Sequence, residues 1–186
     1  MIKKLGFKGV LLFVLFSSLF CYAGSVSLTV TEKIKKERPK LKPEKSNHIT
    51  VKTKVLISQS TLTIKLANFG ESGSFQLEWY FFEQVILPSG KKGDFKIFEK
   101  GKESISLDKK AKTKKEVKSQ EVKSTEKKTE KYNSSRHDKG NSSQKSCSGS
   151  IYKGYVVLVR QDGKIVAKKA SSPKFLKKEW MEKLVQ

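Results

Sequence analysis

Along this chain apolar side chains fall at every second position in block after block, a two-residue period that builds strands with one covered side. In residues 25–30, Val26, Leu28 and Val30 alternate with Ser27 and Thr29. In a second block Ile49, Val51, Thr53, Val55 and Ile57 share one side, while Thr50, Lys52, Lys54 and Ser58 take the other. Leu62, Ile64 and Leu66 repeat the pattern, residues 68–73 supply turn chemistry, and Phe75, Leu77, Trp79 and Phe81 resume it. These last two runs predict an antiparallel pair across a short loop. Tyr80 and Phe82 make the second face of the aromatic strand apolar as well, as expected for a strand covered on both sides.

Shorter strands are predicted over 94–98 and 104–107, separated by a tight turn at Lys100-Gly101. Residues 152–160 and 164–168 flank Asp162-Gly163, a strong two-residue hairpin signal. Ser172 can cap a helix with Pro173 at its first position, and Leu176, Trp180 and Leu184 then form a stripe that Phe175 and Met181 widen. The pattern specifies an all-β sandwich of seven or eight strands closed by a short C-terminal helix. Its expected core comprises Val51, Val55, Ile57, Leu62, Ile64, Leu66, Phe75, Leu77, Trp79, Phe81, Val157 and Val159.

Residues 1–23 read as a cleavable export signal. Lys3, Lys4 and Lys8 precede an apolar run over 10–20, and Cys21-Tyr22-Ala23 places small residues before a cut between Ala23 and Gly24. That run is short for a membrane span of about 20 residues. The expected mature chain is a single domain over 24–186, periplasmic or extracellular, with Cys147 as its one thiol and no internal disulfide. Cys147 could then bridge two chains or have no role.

The formal charge of +22 becomes +19 once the leader, with three lysines and no acid, is gone. Such an excess suits anionic partners such as envelope polysaccharide, lipid head groups or extracellular nucleic acid, or solubility alone. Residues 31–47, lysine-rich and broken by Pro39 and Pro43, predict a basic linker or extended edge. Residues 108–150 read as a lysine-rich low-complexity insertion: ten lysines and five acids fall between Asp108 and Lys131, and a Ser/Asn/Gly-rich stretch follows. The near repeat of residues 116–120 in 121–125 has a five-residue period, which keeps no side fixed on a regular strand. An exposed edge strand within 111–127 is the alternative. Lys109, Lys110, Lys112, Lys114, Lys115, Lys127 and Lys128 are the candidate polyanion contacts. Lysines greatly outnumber Arg38, Arg136 and Arg160, which favours point-charge attraction over forked recognition.

No reaction centre is legible. His48 and His137 are the only imidazoles, and neither has a spacing that suggests a ligand or base. No cofactor, structural metal or phosphate loop is indicated. Asn133-Ser134-Ser135 and Asn141-Ser142-Ser143 match the N-glycan acceptor pattern in a composition that generates it by chance. The sequence therefore points to a non-enzymatic binding or structural module. The alternatives are an enzyme or accessory domain in which Glu78, Glu83 and Asp94 meet in a cleft, and a homotypic assembly subunit joined by a strand edge or by Cys147.

The block Tyr152-Lys153-Gly154-Tyr155-Val156-Val157, followed by Asp162-Gly163-Lys164 and Ala170-Ser171-Ser172-Pro173 before a helix, resembles the end of a group of uncharacterised bacterial exported proteins. The run from Leu62 through Asn68 to Phe82 is similar to their middle. The resemblance covers about half the mature chain. It implies an immunoglobulin- or fibronectin-III-like β-sandwich behind a signal peptide, raises the edge-strand alternative for 111–127, and assigns no activity.

Overall fold

The computed structural model describes residues 26–46, 48–132 and 141–185. The export leader and its Ala23–Gly24 junction lie outside these residues, as do His137 and the first glycan acceptor. The chain is an all-β sandwich with a short C-terminal helix. In order, the strands are β1 (Val26–Glu37), β2 (Glu44–Ser46), β3 (Ile49–Asn68), β4 (Gly73–Ile86), β5 (Lys92–Leu107), β6 (Lys112–Lys118), β7 (Val122–Tyr132), β8 (Asn141–Gln161) and β9 (Lys164–Ala170). A 3₁₀ turn (Pro173–Leu176) and α1 (Lys178–Val185) complete it.

All pairings are antiparallel. One layer sets β1 and β6 against the C-terminal half of β3, and the facing layer runs β5–β4–β8–β9. Leu62, Ile64 and Leu66 from β3 meet Phe75, Leu77 and Phe81 from β4 and Val157 and Val159 from β8 in one buried core. There Phe81 lies tilted against Phe98 and Tyr152, which meet each other edge-on. A second core lies on the far side of β4 and β8. Phe175 stacks on Phe82 at 4.4 Å, Trp180 meets it edge-on, and Val156, Leu158 and Leu184 fill the rest. The two-faced aromatic strand is therefore covered on both sides.

Beyond the sandwich the N-terminal half of β3, β7 and residues 141–149 of β8 form a three-stranded arm, with β2 along its edge. β8 leaves the arm at Gly149 and enters the facing layer. Gly149 has φ +92°, and a Cβ there would lie 2.2 Å from the Lys123 carbonyl oxygen, so only glycine permits the crossing.

Several expectations need correction. Residues 62–66 and 75–81 do not pair with each other, because the turn after Asn68 carries the chain from one layer to the other. Asn68 fixes that passage: buried, it donates through Nδ2 to the Glu71, Leu107 and Asp108 carbonyls and accepts from the Gly70 N–H. Residues 49–58 belong to the same continuous strand as 62–66. Its even-numbered positions point inward from Ser58 onward, so Val51, Val55 and Ile57 face the other way and are only half-buried. Trp79 packs against the core from a half-buried position rather than within it.

Lys100-Gly101 is no turn. β5 runs straight through it, and Gly101 leaves room for the Trp79 indole, which a Cβ would meet at 2.3 Å. Residues 31–37 continue β1, and the two prolines fall where the ladder is interrupted before β2. The helix is split at Lys177, and Ser172 makes no side-chain cap; the neighbouring Ser171 Oγ instead accepts from the Tyr155 N–H.

Between 108 and 150 the described residues form β6, β7 and the start of β8 in place of the expected solvated insertion, and β6 is the exposed edge strand of the alternative reading. β6 pairs with β3 from Thr61↔Lys118, whereas β7 resumes at Ser58↔Val122, which leaves one extra residue between them. That bulge turns the five-residue repeat into a same-side spacing, so Val117 and Val122 both enter the core. Ser119 secures it: its N–H donates to the Ser60 carbonyl, and its carbonyl accepts from Gln59 Nε2.

Candidate anion-binding surfaces

On the outer side of β1, β3 and β6, strand register builds rows of cations and hydroxyls. Thr29, Lys65 and Lys114 form one row, and Ser27, Ala67 and Lys112 the next. Ala67 is too small to fill its place, which leaves a hollow of about 290 Å³ ringed by Lys65, Lys112, Lys114, Ser27 and Thr29. Thr31, Thr63 and Glu116 form the next row, and beyond it Lys33–Thr61–Lys118 adds two further cations to the same face. Like charges directly opposite one another destabilise a sheet unless an anion lies between them, and Lys65 opposes Lys114. Glu116 pairs with Lys114 at 2.9 Å, and the hydrogen bond it accepts holds its carboxyl below the usual range. Lys65 and Lys112 make no ion pair among the described residues.

The structure scatters the other lysines singled out in the sequence. Lys109 and Lys110 occupy the β5–β6 turn, where Lys109 pairs with Glu71. Lys115 turns to the opposite side from Lys112 and Lys114 and pairs with Glu103. Lys127 and Lys128 fall on opposite faces of the arm. Lys65, which completes the hollow, lies in an ordinary alternating strand, and the clustering appears only once β3 and β6 are in register.

On one face of the arm Lys52, Lys128 and Lys145 form a row of three cations. Glu130 accepts from both Lys128 and Lys52, which together hold its carboxyl down at about 2, with Lys128 the larger cause. Glu126 takes Lys145 at 2.9 Å. Where this arm meets the sandwich, an elbow groove of about 580 Å³ opens. Its lining includes the apolar Leu41, Leu56, Ile86 and Ile151, together with the Cys147 thiol. Arg38, Lys40, Lys54 and Lys145 bring positive charge to it, against the single carboxylate of Glu126. The Cys147 N–H donates to the Pro88 carbonyl at 3.0 Å, tying the arm to the β4–β5 turn.

Acid–base groups are engaged elsewhere. Glu78 accepts from Arg160 Nε at 3.1 Å and from the Tyr80 hydroxyl at 3.0 Å; Tyr80 also reaches the Leu184 carbonyl. Burial, then the bond to Glu78, pushes the Tyr80 phenol up to about 12. Glu32 accepts from the Tyr152 hydroxyl and from Ser60 Oγ, and burial raises the Tyr152 phenol strongly. Glu78 is thus committed to Arg160, Asp94 is exposed on β5, and among the described residues no three His, Cys, Asp or Glu side chains gather to hold a metal. His48 is exposed in the turn before β3, at φ 66°.

No family model matches the chain, and no curated protein matches it. Among solved structures it is similar to a β-glucuronidase 2 of Bacteroides uniformis at 13% identity and a TM-score of 0.22, covering 74% of this chain and 14% of that one. A protein from Akkermansia muciniphila gives 13% identity and a TM-score of 0.27 over 83% of this chain and 75% of the other. A Northeast Structural Genomics Consortium target gives 12% identity and a TM-score of 0.21, over 66% and 84%. Likenesses at these scores carry no argument about activity.

Proposed function

We propose that this chain is an exported, non-enzymatic module that holds anionic polymers of the cell envelope or extracellular matrix against the outer face of β1, β3 and β6. The observation that carries this reading is the hollow over Ala67, where three lysines and two hydroxyls converge and two of the lysines lack an acidic partner among the described residues. Lysine ammonium groups act as point charges, so the grip is strong at low salt and indifferent to polymer sequence. The leader over residues 1–23 supports the export half of the reading, and a secreted product beginning at Gly24 is its direct check.

The test is retention on immobilised dextran sulfate. Raising salt from 0.1 to 1 M shortens the screening length from about 10 to about 3 Å, and the protein should elute. The Lys65→Glu, Lys112→Glu, Lys114→Glu triple variant should lose at least about tenfold in affinity, while reversal of Lys109 and Lys110 costs much less. Retention that ignores ionic strength, or that survives the triple reversal, would sink the proposal.

A further inference from the structure

We infer that the elbow groove is a second binding site, built for one anionic amphiphile: a single linear apolar chain ending in a carboxylate or phosphate. Three features carry this. The first is size: about 580 Å³ falls in the range of small-molecule sites, roughly 300–1,000 Å³, and suits one chain rather than a lipid surface. The second is an apolar path. Leu41 is about half exposed, and Leu56, Ile86 and Ile151 are only partly covered, so apolar surface is left open to water along the groove. The third is charge. Glu126 pairs with Lys145 and lies opposite Lys54, which also lowers its carboxyl, so one carboxylate faces four cations, and Arg38 and Lys40 make no ion pair among the described residues. A neutral chain would leave those cations unused, and a purely hydrophilic anion would leave the apolar wall wet.

The groove lies apart from the polymer-binding hollow and shares no lining residue with it, so the two readings stand or fall separately.

Cys147 supplies the readout, since it lines the groove and, once Cys21 is replaced by serine or removed with the leader, is the single thiol. Dodecanoate below its micellar concentration should slow alkylation of Cys147 by N-ethylmaleimide at least fivefold, with an unchanged circular dichroism spectrum. Shortening the chain should weaken protection by about fourfold per methylene removed. The Arg38→Glu, Lys54→Glu double variant should raise the half-protecting concentration about tenfold, and Lys65→Glu, Lys112→Glu should leave it unchanged. Both Arg38 and Lys54 are exposed, and an unchanged circular dichroism spectrum checks that the variant is folded.

Absence of protection by dodecanoate overturns the inference, as does equal protection by dodecyltrimethylammonium. Protection by dextran sulfate at equal charge would assign the groove to the polymer instead, and protection by anionic vesicles alone would assign it to a membrane.

Discussion

The two halves of β3 carry the same alternation of apolar and polar residues and end in different environments. Leu62, Ile64 and Leu66 are essentially inaccessible, because β4 and β8 face them across the sandwich. Val51, Val55 and Ile57 lie on the opposite side of the same strand, in the arm, with Thr129, Thr125 and Lys123 as in-register neighbours. Periodicity determines which residues share a side. Whether that side is covered depends on a second layer, which here comes from a distant part of the chain.

Four experiments probe this difference. Phe81→Ala should cost about 3–5 kcal/mol in denaturant unfolding, and Val51→Ala under about 1 kcal/mol; similar costs would mean that the arm is buried against something. Deleting Gln120 removes the extra bulge residue and leaves Val117 and Val122 four apart, the regular same-side spacing, so both should stay inward while the Ser119 contact with Ser60 is disturbed. The expected loss is about 0.5–1.5 kcal/mol, the worth of one hydrogen bond, with β7 amides still protected in hydrogen exchange.

The third experiment uses pH, and the two regions should respond at opposite ends. The Tyr80 phenol is raised in the folded chain, so its contribution is complete below pH 10 and is lost as pH rises towards 12; Trp180 fluorescence should report release of the helix there. The Glu130 carboxyl is depressed, so its contribution holds above pH 4.5 and fades as pH falls towards 2, seen as faster amide exchange in the arm. Smallest is Lys128→Ala, which should leave the denaturant midpoint almost unmoved, because Lys52 still holds Glu130.

Much of the sandwich was readable from residue order. The Asp162-Gly163 hairpin forms as expected, with φ of 50° and 76° at its two central residues, and the Leu62–Leu66 and Phe75–Phe81 runs supply the core. The arm was hidden because lysine and serine read as solvated chain. There the strands are held by backbone ladders and Lys–Glu pairs such as Lys145–Glu126, which leave little hydrophobic trace. The repeat at Val117 and Val122 looked incompatible with a strand only because a bulge is invisible to a fixed period. Gly101 read as a turn because its partner, Trp79, lies 22 positions earlier in the sequence. The hollow over Ala67 was half-visible, since Lys112 and Lys114 stood out, but Lys65 joins them only through register.

The strand that threads Gly149 has a mechanical consequence. Because β8 belongs to the arm at one end and to the facing layer at the other, a tug on its arm end would load its rungs lengthwise and pass straight into the hydrophobic interior. A tether fixed to that end would strain the whole body before it peeled away.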